Sequence, residues 1–126
     1  MCKAYEMARV TPKAVNVAEI HDCFTVMGAI GTDVIGKAEY GQRARYWVEG
    51  KARPNGPCGI NTSGGLLAKG HPIGATGVAM VGWCAWQLLG QVPAALQVLN
   101  PQIAATFNIG GPICASGCTV LKRAVS

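Results

Sequence analysis

Between residues 61 and 77 the chain reads NTSGGLLAKGHPIGATG, which places five of its 17 glycines in one short run. Glycine lacks a Cβ, so such a run excludes one continuous helix or regular strand and lets backbone turn tightly and approach closely. The run encloses a histidine, His71, with Gly70 before it and Pro72 behind. Proline stiffens the turn and narrows the conformations open to the residue before it. Gly74-Ala75-Thr76-Gly77 then opens an apolar helix to about Leu89. Val78, Met80, Val81, Trp83, Trp86, Leu88 and Leu89 leave that helix little polar face, so it is expected to be largely buried.

Glycines 70, 74 and 77 do not follow G-x-G-x-x-G, and no Lys-Ser/Thr pair follows them, which excludes a nucleotide-binding loop. A histidine held rigidly before a helix N-terminus is instead kept neutral, the state a general base needs. The only other histidine, His21, lies in IHDCF, residues 20–24, beside Asp22 and Cys23. Two histidines in constrained turns near Gly or Asp raise the case for catalysis over a structural role. Asp22 is expected to fix local structure rather than react.

Around these motifs the apolar pattern predicts alternating strands and helices, hence an α/β layered fold with one mixed sheet covered by helices. CKAYEMARV reads as the last turns of an amphipathic helix with no capping residue before it, and TPKAVN as a turn. VAEI is a short strand ending at His21. CFTVMGAIGTDVIG has Phe24, Met27, Ile30 and Ile35 at helical spacing, weakened by three glycines. Residues 37–60 form a long polar, Gly/Pro-rich excursion, of a kind that is usually functional or a cover. Leu66 to Ala68 is a short apolar piece. IAATFNIGG and ICASGCTVL are two β-rich runs around a Gly-Gly-Pro turn.

A chain of 126 residues that is 50% hydrophobic and 13% charged supports one domain with a core and excludes intrinsic disorder. The net charge of +5 is spread along the chain without a dense basic run or an aromatic RNA-binding signature, so no nucleic-acid partner is expected. The local cluster from Arg43 to Arg53 is either a solvated loop or a contact for a phosphorylated small molecule. The six cysteines, at 2, 23, 58, 84, 114 and 118, form no C-x-x-C pair and no Cys/His quartet, so no metal is expected. Most of them read as small buried hydrophobes. There is no uninterrupted apolar stretch of membrane-spanning length and no apolar N-terminal signal region.

Asn61-Thr-Ser-Gly64-Gly65 followed by Gly70-His71-Pro72-Ile-Gly-Ala-Thr-Gly77 resembles the C-terminal signature of thiolases. His21-Asp22-Cys23-Phe24 resembles the motif of the sterol-carrier-protein type and its archaeal and bacterial relatives, where other thiolases carry Asn-Glu-Ala-Phe. Asn108-Ile-Gly110-Gly111 stands where those others have a Cys-x-Gly loop. The motifs come in the family's order and span nearly the whole chain. The resemblance implies the C-terminal half of a thiolase-like fold and Claisen chemistry on 3-ketoacyl-CoA through an acyl-cysteine.

By the same resemblance His71 activates the nucleophile, His21 stabilises the thioester enolate oxygen, and Cys23 is the second catalytic cysteine, an acid/base. Asn108 replaces the usual acid/base cysteine, and the Gly110 amide donates to the acyl thioester oxygen. Gly70 and Asn61 fall on the substrate side. The coenzyme A thioester is substrate, and no resident cofactor is implied. Two features depart from the family. The nucleophilic cysteine of thiolases lies in an N-terminal half, and no cysteine here sits in that context. The segment GQVPAALQVLNPQ also lacks the basic residues often found there in relatives. A single thiolase C-terminal-like domain truncated at its N-terminus is therefore expected. Its partner would be an N-terminal half or a further copy, with a small OB-fold protein as a possible companion. Cytoplasm is the expected compartment, with peroxisome the alternative in a eukaryote.

Overall fold

The computed structural model of the chain describes residues 1–111 and 114–124. Its centre is β1, Val17–Ile20, four consecutive buried residues of VAEI. A strand buried on both faces must have both faces covered, and here they are. β1 pairs in parallel with β2, Gly59–Ile60, on one side and with β3, Ile103–Gly110, on the other. β3 pairs antiparallel with β4, Ala115–Lys122, giving the order β2-β1-β3-β4. The expected mixed sheet is thus present. β2 is too short to have been read from the sequence, and residue 113 of the expected closing strand lies outside the described residues.

Alternation along β1 sorts its side chains. Ala18 and Ile20 join a core cluster with Tyr5 of α1 (Cys2–Ala8), Met27 of α2 (Thr25–Val34) and Tyr46 of α3 (Arg43–Val48). Val17 points the other way, into a cluster with Cys84 and Leu88 of α5 (Thr76–Leu89). The result is three layers: α1 to α3, the sheet, and α5.

The glycines of α2 do not break it. A Cβ on Gly31 would stand 3.0 Å from the Ile20 side chain, so the bare backbone lets the helix lie close on β1. Phe24, read at helical spacing with Met27, Ile30 and Ile35, precedes the helix as its N-cap and is 69% exposed.

Two other expectations need correction. The excursion at residues 37–60 is not all loop, because RARYWV forms α3, held by Arg43 on Asp33 at 2.9 Å and by Trp47 Nε1 donating to Thr32 Oγ1 at 2.9 Å. α5 has the expected span but is buried on one face only. Met80, Cys84, Gln87 and Leu88 are buried, Cys84 and Leu88 against Val17 and Ala104 of the sheet, while Val78 (75%), Trp86 (52%) and Leu89 (63%) are exposed. Hydrophobicity all round a helix shows that every face is apolar, not that this chain covers every face. The short apolar piece is a helix, α4, Gly65–Lys69, of which Leu66 is buried.

Candidate active site

The site forms where β1 and β3 end beneath the start of α5. His21 continues β1: its amide donates to Phe107 O at 2.9 Å, and the alternation that buries Ile20 on the α2 side turns His21 toward α5. On the neighbouring strand the same alternation turns Asn108 to that side. Their side chains meet, with His21 Nδ1 2.6 Å from Asn108 Oδ1. A carboxamide oxygen only accepts, so Nδ1 carries the proton.

His71 reaches the same place from the exposed loop after α4. Its Nδ1 lies 2.8 Å from Thr76 Oγ1, in the first turn of α5. The Thr76 hydroxyl donates its one proton to Pro72 O at 3.2 Å. Its oxygen therefore accepts from His71 Nδ1–H, which leaves Nε2 as the basic nitrogen of the neutral ring. The two imidazoles stand edge to face with centroids 4.9 Å apart. Thr76 was not singled out in the sequence reading. The signal was present, since a threonine five residues after a histidine at a helix start is placed to take its Nδ1–H.

A cleft of about 560 Å³ opens here, lined by His71, Thr76, Gly77, Asn108, Gly110 and Gly111 among others. Gly77 is glycine for a steric reason: a Cβ would stand 2.8 Å from Asn108 Nδ2. That carboxamide nitrogen has no hydrogen-bond partner among the described residues, which leaves a donor at the cleft beside two imidazoles. The arrangement offers a base, His71 Nε2, and a free side-chain donor, Asn108 Nδ2, at one cleft.

The remaining candidates are placed differently. Cys23 is half-buried and packs against the larger core cluster; it is not among the residues lining the cleft. Asn61 is committed to the fold. Its Oδ1 accepts from Ile20 N at 2.7 Å and its Nδ2 donates to Ile20 O at 3.0 Å, which splices the loop onto the end of β1. Gly70 (φ 90°) is exposed beside His71, and a Cβ there would meet nothing within 4 Å. Asp22 holds α4, its Oδ1 accepting from Leu66 N at 2.7 Å.

Of the other thiols, Cys58 and Cys84 are fully buried, and burial pushes Cys58 up to about 11 and Cys84 higher still. A thiol must lose its proton to act as nucleophile, so neither is poised to do so. Among the described residues no group of His, Cys, Asp and Glu is arranged to hold a metal, and no helix is long and apolar enough to cross a membrane.

The fold and the paired histidines define a thiolase-type C-terminal domain. The family model for thiolase C-terminal domain-like sequences matches residues 2–123, and the chain belongs to that family. It is similar to an acetyl-CoA acetyltransferase of Methanothermobacter thermautotrophicus, with 41% identity over 86% of this chain and 28% of that protein. Sterol carrier protein 2 of Homo sapiens is 38% identical over 86% of this chain and 20% of its own length. The benzoylsuccinyl-CoA thiolase subunit BbsB of Thauera aromatica is 33% identical over 85% of this chain and 28% of its own. The chain thus spans well under a third of the length of each of these relatives. Among solved structures, the Ltp2-ChsH2(DUF35) aldolase superposes with a TM-score of 0.82 over 97% of this chain and 30% of its own, at 17% identity. That likeness is one of fold.

Proposed function

We propose that this chain is the C-terminal part of a thiolase-type acyl-CoA acyltransferase, which forms or thiolytically cleaves 3-ketoacyl-CoA when joined to an N-terminal thiolase half. The observation that carries this reading is the edge-to-face contact of His21 with His71, centroids 4.9 Å apart: His71, Asn108 and Gly110 line the cleft, and His21 stands behind it on His71 and Asn108. A cysteine of the N-terminal half is the nucleophile, and His71 Nε2 takes its proton. The thiolate attacks the 3-keto carbonyl, the Cα–Cβ bond breaks, and the acyl group stays on sulfur. The electron pair passes to the departing acetyl-CoA as an enolate, whose oxygen His21 stabilises from Nε2–H as an imidazolium, its Nδ1–H being held by Asn108, while Cys23 returns the proton to carbon. The Gly110 amide donates to the acyl thioester oxygen, and free coenzyme A then takes the acyl group. Splitting one hard transfer into two easier steps is what a covalent nucleophile provides.

The placement of Cys23 favours a second reading. A thiol packed on the core rather than lining the cleft suits a subunit that has kept the fold without the full proton-transfer set, either a non-catalytic thiolase-like subunit or an acyl-CoA aldolase. The Thauera relative is itself named a subunit. A further copy of the chain and a small OB-fold protein are the other partners in this proposal, and cytoplasm remains the proposed compartment.

The test is reconstitution. The 126-residue chain alone should show no thiolysis of acetoacetyl-CoA and no acyl adduct by intact mass. Added to an N-terminal thiolase half, it should restore turnover, which His71→Ala abolishes. Cys23→Ser should slow proton transfer while leaving the partner's cysteine acylated. Turnover by the isolated chain, with label on Cys58, Cys84, Cys114 or Cys118, overturns the assignment. Absence of turnover in every pairing favours the second reading.

A further inference from the structure

One buried charge has no part in that chemistry. Glu19 is fully buried on β1, and both carboxylate oxygens are met by donors. Ser63 N lies 3.2 Å from Oε1, and Ser63 Oγ donates to Oε2 at 2.5 Å. Lys69 Nζ approaches Oε2 at 3.2 Å and also donates to Ser63 Oγ at 2.7 Å. Desolvation raises the Glu19 carboxyl above its ordinary range, and Lys69 and Ser63 oppose that shift. A carboxylate in such a place is costly, and these donors are what make it tolerable.

Its position is informative. Glu19 stands two residues before His21, and Lys69 two residues before His71, so one ion pair joins the two histidine-bearing segments just upstream of both. Alternation along β1 places Glu19 and His21 on the same side of the sheet. Lys69 ends α4, after which residues 70–75 are exposed throughout. Packing therefore does little to fix the loop that carries His71, and such a segment is free to open locally unless it is tethered. Two side-chain tethers flank it: Lys69 on Glu19 before the histidine, and Thr76 after it.

We propose that the Glu19–Lys69 ion pair is a positioning device for His71. It ties the end of α4 to the buried strand that carries His21 and so holds the two imidazoles edge to face. The proposal rests on the reading above only in giving that arrangement a function, and the arrangement itself is measured without substrate.

The chain has two histidines, so histidine-labelled protein gives two ring systems to follow by NMR. The wild-type chain should show a cross-peak between the rings of His21 and His71 and a single Nδ1–H tautomer for His71. Both signatures should be lost in Lys69→Met and in the double variant Glu19→Gln/Lys69→Met, which buries no unpaired charge. His21, held by Asn108, should keep its tautomer and report that the sheet is intact. Retention of either signature in either folded variant overturns the proposal; where Lys69→Met fails to fold, the double variant decides. The outcome is independent of acyl-CoA turnover, so this inference and the proposed function fail separately.

Discussion

His21 and Asn108 are 87 residues apart in sequence, and their side chains meet at 2.6 Å because adjacent parallel strands turn both toward α5. The carboxamide oxygen fixes the histidine tautomer, and the carboxamide nitrogen is left to the cleft over Gly77. Neither residue is set for hydrogen bonding to substrate without the other.

Replacing Asn108 with Ala should therefore release the His21 ring and remove a cleft donor together. In the reconstituted enzyme we expect kcat to fall by about 10²–10³, the usual cost of one oxyanion donor, with a much smaller change in KM. The chain alone should keep its circular dichroism spectrum, since Asn108 is only half-buried.

Cys58 gives a pH dependence with a definite sign. Its thiol titrates at about 11 in the fold against an ordinary 9.0, chiefly through burial, with Lys37 opposing. The folded state thus holds the proton more tightly, and this contribution is fully present below pH 9 and lost as pH rises toward 11. Denaturant unfolding at pH 7.5 and 10.5 should show the wild-type advantage over Cys58→Ala shrinking by roughly 2 kcal/mol at the higher pH. An advantage constant across that window counts against the assigned burial of the thiol.

Gln87 is fully buried and joins three segments. Its Nε2 donates to Thr62 Oγ1 at 2.9 Å and Leu96 O at 2.8 Å, and its Oε1 accepts from Val98 N at 3.0 Å and Gln97 Nε2 at 3.0 Å. Gln87→Leu keeps the approximate volume and strands the buried Val98 amide, so urea unfolding should show a loss of about 3 kcal/mol.

Trp86 lies on the exposed apolar face of α5 with Val78 and Leu89. Trp86→Arg should change the stability of the isolated chain by no more than about 0.5 kcal/mol, as for surface positions generally. If this face meets the N-terminal half, the same substitution should weaken that association at least tenfold by titration calorimetry, because buried aromatic anchors dominate interfaces.

What the sequence determined by itself was local. The spacing of apolar residues set the strand at Val17–Ile20 and the helix ending at Leu89. The Gly-His-Pro and His-Asp-Cys-Phe runs carried the family resemblance, because backbone permissiveness and side-chain chemistry are written residue by residue. The tertiary structure decided everything that depends on which residues meet. The partnership of Glu19 with Lys69, 50 positions later, and that of His21 with Asn108 required the sheet order. The use of Asn61 on the backbone of Ile20 required the loop to return to β1, and the packing of Cys23 against the core required α2 to be in place. The open face of α5 likewise could not be read from a pattern that is apolar on every side. Burial and pairing are properties of neighbours in space, and a strand reads the same in sequence whichever strand lies beside it.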